Sequence, residues 1–371
     1  MINKDRDILN SLNDLDLSPT MEKNARDKYE ALCNYLSKHG LDSDFQPQGS
    51  FLIGTTIKPY RDGKDHDYDL DVLAILKRKK ESTNAKSVKN DIGDIIKESG
   101  IYADKLEKED RNCWTLKYAE VSNRIEFSLD VVPAVEEIDE IKNEIILSGV
   151  DSSKVEKTVA ITDKGYTYEW LSSNPLGFGD WFLDISNKHL TNNMKVEQYM
   201  NIPYDIRKTF SSVEEIPIYY YRSNLQRAVQ FIKRHRDIYY DRSSLLGDKP
   251  SSILISALVA DCVKDQQFLS VSDIVKKFVN GFKNKSISIM QDDKVLNPVD
   301  LRENLIAKYT VGRLENMERW IEELSRIMNI KDDKMFRQAI HNDINTRVFA
   351  DSFEIPKKII EPTKPWMKQN E

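Results

Sequence analysis

The segment from Asp69 to Leu76, DLDVLAIL, limits the fold of this chain more than any other feature. Beyond its two acidic residues it is apolar on both faces, which is typical of a strand inside a sheet and not of one at its edge. Side chains alternate along a strand, so Asp69 and Asp71 are predicted to lie on the same face. The sequence therefore predicts a buried central strand that begins with two carboxylates directed into one space.

A second apolar strand carries a third acidic residue, Asp130. In the run IEFSLDV, from 125 to 131, alternate residues are apolar and face a core, whereas Ser128 and Asp130 face the opposite way. Residues 113–119 and 125–132 are predicted to be the two strands of a hairpin. If the second of these strands lies beside the central strand, three carboxylates converge at the open face of the sheet.

Three neighbouring carboxylates repel one another strongly unless a cation compensates their charge. Oxygen-only ligands favour hard divalent ions, so we predict two Mg²⁺ ions at this position, with Mn²⁺ as the alternative. A pair of such ions supports in-line displacement at phosphorus. Asp69, Asp71 and Asp130 are therefore the predicted catalytic and metal-binding residues.

A Gly-Ser turn precedes the acidic pair and is a candidate phosphate cradle. Gly49 lets the chain turn tightly, and the residues after it are predicted to begin a helix whose free N–H groups face outward. The hydroxyl of Ser50 can donate to a triphosphate oxygen. Gly49 and Ser50 are thus predicted to bind the phosphates of a nucleotide.

Each of these signals is weak by itself, because the chain has 61 acidic residues and Asp67 lies on the same parity as Asp69 and Asp71. We prefer DLD to DYD as the functional pair because the apolar strand follows it directly. Taken together and in this order, the turn and the three carboxylates resemble the plan of the DNA polymerase β type of nucleotidyltransferase.

The first part of the chain mixes strands and helices and the second part is helical, which predicts an α+β protein. A length of 371 residues allows two or three domains. We place a catalytic lobe with its N-terminal helix at residues 1–170 and a helical lobe at 171–371. SNPLGFGDWF, from 173 to 182, is predicted to be a loop. Helices are predicted near residues 21–38, 223–240, 251–263 and 303–327.

Composition narrows the partners that we expect. The longest near-apolar stretch, Ile253 to Ala260, is too short to span a membrane, and the N-terminus has no apolar signal core. Three scattered cysteines fit a reducing compartment, so a soluble, cytoplasmic protein is expected. The net charge of −6 argues against a long nucleic acid as partner.

Seven segments, in one order, carry a more specific resemblance. They are QGSFLIGTTIKP, YDLDVLAIL, SLDVVPAV, SNPLGFGDWF, LQRAVQFIKRHRD, KPSSILISALVA and NPVDLRENL. From about residue 20 to residue 330 the chain resembles the bacterial cGAS/DncV-like nucleotidyltransferases, or CD-NTases. It lacks the zinc-binding Cys/His cluster of animal cyclic GMP-AMP synthase. It also ends in KQNE and not in the small residue at which many relatives are conjugated to a ubiquitin-like system.

The resemblance implies a polymerase-β-like lobe with a mixed sheet and a helical lobe like that of oligoadenylate synthetase. It implies that nucleoside triphosphates such as ATP are joined into a cyclic di- or trinucleotide, with release of pyrophosphate. It also implies a role in CBASS anti-phage defence, in which the product acts on a separate effector protein and a regulatory partner protein can take part. Two further triphosphate-binding residues follow from matching positions, Lys233 and Ser252, although the length of the preceding loop leaves Ser251 as an alternative.

The remaining polar residues allow two interpretations. On the predicted helix 223–240, Gln226, Gln230, Lys233 and Asp237 share a stripe, which for all but Lys233 is expected to be a solvated face. The amide of Asn174 is suited to the edge of a base, so Asn174 is a predicted nucleotide-binding residue.

Other side chains of the chain have weaker functional signals. Phe178 or Trp181 could stack on a base, although Trp181 is expected to pack between the lobes. The basic run 77–80 is expected to be a solvated turn.

Two rival functions stay open at this stage. The first is template-independent nucleotidyl transfer to RNA, a small molecule or a protein. The second is a catalytically inactive module that senses nucleotides, which the intact set of three carboxylates disfavours.

Overall fold

The computed structural model describes residues 4–13, 15–66, 68–118, 127–190, 213–217 and 221–345. Twelve α-helices lie in these ranges: α1 (Lys4–Leu12), α2 (Pro19–Lys38), α3 (Gly49–Leu52), α4 (Ala85–Lys97), α5 (Asp139–Leu147), α6 (Ser152–Val155), α7 (Pro175–Asn187), α8 (Asn224–Arg242), α9 (Ser252–Asp261), α10 (Val271–Lys283), α11 (Val311–Met328) and α12 (Asp333–Ile344). None of these described helices is long and apolar enough to cross a bilayer.

Eleven strands lie in the same ranges: β1 (Ser43–Gln48), β2 (Tyr60–Arg61), β3 (Lys64–Asp65), β4 (Tyr68–Leu76), β5 (Trp114–Tyr118), β6 (Phe127–Glu136), β7 (Val159–Lys164), β8 (Tyr168–Ser173), β9 (Met290–Gln291), β10 (Lys294–Asn297) and β11 (Asp300–Asn304). Six of them form one mixed sheet in the order β1-β4-β6-β7-β8, with β5 also paired to β6. The α+β class predicted from the sequence is thus confirmed.

The strand β4 is central, as its apolar run predicted. It pairs with β1 on one side in the antiparallel sense and with β6 on the other in the parallel sense. Leu70 and Val72 pack into a core shared with α2 and α4, whereas Leu73 packs on the opposite face against a smaller cluster that includes Leu176 of α7. Asp69 and Asp71 share the parity of Leu73, so they lie on the face that looks toward α7.

The strand β5 pairs with the first half of β6 in the antiparallel sense, which confirms the two strands predicted for residues 113–119 and 125–132. Their connection, residues 119–126, lies outside the described residues. The second half of β6 pairs with β7 on that same edge. Along one edge β6 therefore pairs first with β5 and then with β7, while its other edge pairs with β4.

The second lobe is built around α8. Its core joins apolar residues of α8 to α12 with Ile8 and Leu12 of α1. The short helix α1 therefore packs in the core of the second lobe, although residues 1–170 were placed together in the first. The N-terminal helix that we predicted at residues 21–38 is α2, and it packs in the core beneath the main sheet. The sheet also continues through β8 to Ser173, beyond the boundary expected at residue 170. Burying the apolar face of a helix stabilises the folded protein wherever a complementary apolar surface is available. The position of the helix along the chain therefore does not decide which lobe it packs in.

Two predicted elements differ from the structure. SNPLGFGDWF is not a loop but the start of α7, because the Asn174 side chain caps the helix and Pro175 occupies its first turn, where a missing N–H costs nothing. The helix predicted for 303–327 begins only at Val311, after the cap Thr310. Glu303 lies in β11 of a small three-stranded sheet.

His235 lies in the middle of the second core. Its Nδ1 accepts a hydrogen bond of 2.9 Å from Nε1 of Trp320, which also fixes the tautomer that the ring must adopt. Burial lowers the pKa of His235 to about 4; Glu323 opposes this shift, while Arg242 and Arg326 add to it. This histidine therefore stays neutral in the folded protein at pH values where an unfolded chain would protonate it.

We expect this histidine to make the protein acid-sensitive. Between about pH 6.5 and pH 4 the unfolded chain binds a proton at His235 that the folded protein does not, so stability falls as the pH drops through this window, by up to about 3 kcal/mol. In urea titrations at several pH values, His235→Gln should flatten this part of the profile. The matched control is His39→Gln at an exposed position of the same residue type. Equal slopes for the wild type and His235→Gln would contradict the assignment.

Candidate active site

The parallel register of β4 and β6 brings the predicted carboxylates together. Asp71 lies directly opposite Asp130, and Asp69 lies opposite Ser128. The Ser128 hydroxyl donates to Oδ1 of Asp69 at 2.5 Å. The three carboxylates thus share one face of two adjacent strands. Asp67, the alternative considered for the pair, lies outside the described residues.

The Gly-Ser turn adjoins this carboxylate cluster. β1 pairs with β4 so that Gln48 lies opposite Asp71, and Gly49 follows with a φ of +62°. A Cβ atom at Gly49 would overlap the carboxylate of Asp71. Glycine is therefore required twice at this position, for its backbone conformation and for the space that the carboxylate occupies.

The electrostatics of the carboxylate cluster are unfavourable in the free protein. Burial raises the pKa of Asp71 to about 7, and the nearby charges of Asp130 and Asp69 add to the shift. Burial also raises the pKa of Asp130 to about 6; a hydrogen bond from Thr115 lowers it and the charge of Asp69 raises it further. The Oδ1 atom of Asp130 is buried and has no hydrogen-bond partner in the described structure. The positive charge of Lys233 opposes the shift at Asp71.

The chemistry of these side chains fits divalent cations, although their geometry is not that of a formed metal site. Among the described residues, no group of three or more histidine, cysteine, aspartate or glutamate side chains is arranged so that it could hold a metal ion. Asp69, Asp71 and Asp130 lie on one face of two adjacent strands and influence one another electrostatically. Their mutual repulsion and the unpaired oxygen of Asp130 are what a hard divalent cation would relieve.

The four residues that we predicted for phosphate binding line one small cavity of about 100 Å³. They come from three distant parts of the chain: Gly49, Ser50, Lys233 and Ser252. Thr55 and Ser256 add further polar groups to the wall of this cavity, and its apolar wall is made by Ile53, Pro175, Phe178 and Ile253. The tertiary structure thus assembles these residues into one site, which we call the phosphate cavity.

Lys233 connects the phosphate cavity to the carboxylate cluster. Its Nζ atom donates a 3.0 Å hydrogen bond to the backbone carbonyl of Thr55. Burial lowers the pKa of Lys233 to about 7; Arg236 lowers it further, while Asp237 and Asp71 raise it. The ammonium group is held where an anionic ligand would favour its charged form.

The geometry favours Ser252 over Ser251 as a ligand-binding residue. The hydroxyl of Ser251 caps α9 by accepting a hydrogen bond from the N–H of Leu254 at 3.4 Å. Ser252 lines the phosphate cavity, and its hydroxyl accepts a hydrogen bond of 3.2 Å from Nη1 of Arg236. Arg236 is itself buried and also donates to the neighbouring carboxylate of Asp237. Sequence reasoning missed this positioning role of Arg236.

The expectation of a solvated face on α8 is wrong. Gln226, Gln230 and Asp237 are all buried. The structure uses polar side chains at and just before this helix to hold residues 53–58, which have no regular secondary structure. Five donors each bind one backbone carbonyl in this segment: Arg222 to Gly54, Gln226 to Ile53, Gln230 to Thr56, Lys233 to Thr55 and Arg234 to Lys58.

Asn174, predicted to contact the edge of a base, is not among the residues that line the phosphate cavity. Its Oδ1 atom accepts from the N–H of Gly177 at 2.9 Å, and its Nδ2 atom donates to the carbonyl of Lys154 at 2.7 Å. Both ends of the amide are therefore used within the protein. Phe178, from the same segment, does line the phosphate cavity, whereas Trp181 packs against Phe178 with ring centroids 5.5 Å apart.

We therefore expect Asn174→Ala to affect stability and not the choice of nucleotide. Loss of a helix cap costs about 1 kcal/mol. Thermal unfolding should shift accordingly, while the products formed from competing triphosphates stay in the same proportions. Asn174→Asp, which keeps the capping oxygen, should recover most of the loss. A changed base preference in Asn174→Ala would restore the original interpretation.

The chain is similar to known proteins over most of its length. Residues 3–185 match the family described as the Second Messenger Oligonucleotide or Dinucleotide Synthetase domain, SMODS. A c-di-GMP synthase of Roseivirga ehrenbergii is 29% identical over 329 residues, which cover 84% of this chain and 77% of that protein.

Solved structures share the fold over nearly the whole length. The CD-NTase CdnG of Bradyrhizobium diazoefficiens, solved with GTP, superposes with a TM-score of 0.66 at 19% identity and covers 94% of this chain and 98% of its own. CdnC of E. coli MS115-1, solved as a complex with HORMA-deltaN, gives a TM-score of 0.57 at 11% identity over 92% of this chain and 98% of its own. At these identities the likeness supports the two-lobed fold.

Proposed function

We propose that this chain is a nucleotidyltransferase of the cGAS/DncV-like kind, which joins two nucleoside triphosphates, GTP among them, into a cyclic dinucleotide. One observation carries the proposal. The open cluster of three carboxylates lies against the Gly49 turn, and the same turn lines a cavity with Lys233 and Ser252. Acidic ligands for divalent cations and donors for phosphate oxygens thus lie side by side, as nucleotidyl transfer requires.

The proposed reaction is a displacement at phosphorus. A ribose hydroxyl of the acceptor attacks the α-phosphorus of the donor, a new P–O ester bond forms, and the bond to the bridging oxygen of the β-phosphate breaks. Pyrophosphate leaves with the electron pair, and the acceptor hydroxyl gives up its proton. The linear intermediate then repeats the same chemistry on its own triphosphate, which closes the ring.

The residues of the phosphate cavity bind and orient the donor triphosphate in this proposal. Ser50 and Ser252 supply hydroxyl donors, and Gly49 allows the backbone to approach closely. The ammonium of Lys233 offsets the negative charge that develops on pyrophosphate as it leaves. Binding of the triphosphate restores full protonation of Lys233, because an adjacent anion raises the pKa that burial has lowered.

Asp69, Asp71 and Asp130 would hold the magnesium ions. When bound, such ions neutralise phosphate charge and activate the attacking hydroxyl. The Ser128 hydroxyl fixes one oxygen of Asp69, which leaves the second oxygen of that carboxylate available. This arrangement orients the carboxylate before any ligand arrives.

The identity of the product rests on the relatives. The Roseivirga ehrenbergii protein is named a c-di-GMP synthase, and the Bradyrhizobium structure contains GTP, which supports guanine nucleotides as substrates. The match to the SMODS domain also supports a cytoplasmic role in anti-phage signalling, with the cyclic product acting on a separate effector. The complex of the E. coli relative with HORMA-deltaN supports a regulatory partner protein for this chain as well.

The test is a product analysis from purified protein, labelled triphosphates and Mg²⁺. After phosphatase treatment, mass spectrometry should find a resistant cyclic dinucleotide, and GTP alone should suffice to form it. A product that appears only when RNA is added would instead support transfer to RNA. Nucleotide binding without any turnover would support an inactive sensing module and would contradict the proposal.

A further inference from the structure

Among the described residues, one side chain of the phosphate cavity has no hydrogen-bond partner. The hydroxyl of Ser50 accepts from Thr56 at 3.2 Å, that of Ser252 accepts from Arg236, and that of Ser256 donates to the carbonyl of Ser252 at 2.9 Å. Lys233 donates to the carbonyl of Thr55. The hydroxyl of Thr55 alone among these polar groups is buried with no hydrogen-bond partner in the described structure.

The backbone groups of Thr55, unlike its hydroxyl, are both hydrogen-bonded within the described part of the chain. The N–H of Thr55 donates to the carbonyl of Ser50 at 2.9 Å, and its carbonyl accepts from Lys233. The residue is only 1% exposed. Leaving a hydroxyl unsatisfied in such a place is unfavourable, and most buried polar groups in proteins find a partner. A valine would fill the same volume without that cost.

The surroundings define the chemistry that would satisfy this hydroxyl. The ammonium of Lys233 is bonded to the carbonyl of the same residue, and the hydroxyls of Ser50 and Ser252 line the same wall. A cation with several hydroxyl donors suits an anionic oxygen, and a hydroxyl that donates to an anion forms one of the stronger hydrogen bonds.

We propose that the hydroxyl of Thr55 is a further substrate-binding group, which donates a hydrogen bond to a phosphate oxygen of the bound nucleoside triphosphate. This inference rests on the proposed function, which it deepens. Because the Gly49–Ser50 turn and Lys233 fix the backbone of Thr55 on both sides, the hydroxyl is positioned before the ligand arrives. A preorganised group of this kind loses little conformational entropy on binding.

The proposal is tested with a matched pair of variants, Thr55→Val and Thr55→Ser. Valine keeps the shape and both backbone contacts but removes the hydroxyl, whereas serine keeps the hydroxyl. The binding probes are inorganic tripolyphosphate and a non-hydrolysable GTP analogue with a methylene group between its α- and β-phosphates, measured by calorimetry. We expect Thr55→Val to weaken both by about ten- to a hundredfold, the range for a hydrogen bond to a charged group. Thr55→Ser should stay within a few-fold of wild type.

The melting temperature distinguishes a binding role of Thr55 from a structural one. If the hydroxyl were only structural, its removal would lower the melting temperature. Removing an unsatisfied buried hydroxyl should leave the melting temperature of the ligand-free protein unchanged or raise it, while binding falls. Thr162 in β7 is a matched control, because its hydroxyl is also buried with no partner in the part of the chain that the structure describes, and it does not line the phosphate cavity. Thr162→Val should bind both probes as wild type does.

The outcomes separate this inference from the proposed function. If the wild type binds the GTP analogue and Thr55→Val binds both probes equally well, the role of Thr55 is overturned and the proposed function stands. If Thr55→Val loses the GTP analogue but not tripolyphosphate, the hydroxyl contacts another part of the nucleotide and the phosphate assignment is wrong. If the wild type binds no nucleotide, the proposed function fails and the inference fails with it.

Discussion

Replacing Asp69 and Asp71 together with asparagine should abolish synthesis of the cyclic product, with a loss of at least about a thousandfold. Asparagine keeps the shape of each side chain but removes the charge that would hold divalent cations, and such ions contribute several kcal/mol of transition-state stabilisation. The fold should survive, because the two carboxylates repel each other and Asp130 in the free protein. The measurement is product formation from labelled GTP, with circular dichroism and thermal unfolding on the same samples.

A surface aspartate provides the control for this experiment. Asp94→Asn on α4 removes one exposed carboxylate and should leave synthesis unchanged. Binding of Mn²⁺ to the ligand-free protein gives a second readout, which the double variant should lose and Asp94→Asn should keep. Synthesis by Asp69→Asn with Asp71→Asn at more than a few per cent of the wild-type rate would refute the assignment of the site.

The second large effect is expected from a single methyl group, in Gly49→Ala. The Cβ atom would overlap the carboxylate of Asp71, and the φ of +62° is strained for alanine. Either the turn or the carboxylate must shift, and a displacement of about 1 Å costs about a hundredfold in rate. We therefore expect synthesis to fall by about that factor or more, measured as initial rates at saturating GTP.

Gly40→Ala separates the steric effect from the backbone effect. Gly40 also has a positive φ, of +93°, but a Cβ atom there meets no heavy atom within 4 Å. This variant should lose about 1 kcal/mol of stability and keep its activity. Equal activity in Gly49→Ala and Gly40→Ala would mean that the contact between the turn and Asp71 does not matter for the reaction.

The carboxylate cluster could be predicted from the sequence, because the direction of side chains along a strand depends only on local geometry. Alternation alone puts Asp69 and Asp71 on one face, and the apolar run after them indicates that a neighbour must lie on each side. Ser128 was also predicted on the face of Asp130, so its contact with Asp69 follows once β4 and β6 are paired. Nothing in the spacing alone specified that pairing.

The start of α7 was misjudged although the sequence contained a signal for it. Asn174 followed by Pro175 is typical of a helix start, but Gly177 and Gly179 favoured a loop. The structure explains the second glycine, since a Cβ atom there would overlap the side chain of Leu52 in α3. A glycine selected for close packing cannot be distinguished from a turn glycine in the sequence of a single chain.

The sequence by itself determined the three strands at and beside the acidic residues, the shared face of those residues, and the helices α8 and α9, because these depend on periodicities of two and 3.6 residues along the chain. Only the tertiary structure decided that the polar side of α8 is buried against residues 53–58, and that the Thr55 hydroxyl beside Lys233 has no partner among the described residues. Whether a polar side chain meets water or a backbone carbonyl depends on what lies opposite it. Here the surface opposite α8 is a segment about 175 residues away in the sequence. A residue pattern within α8 carries no information about so distant a segment.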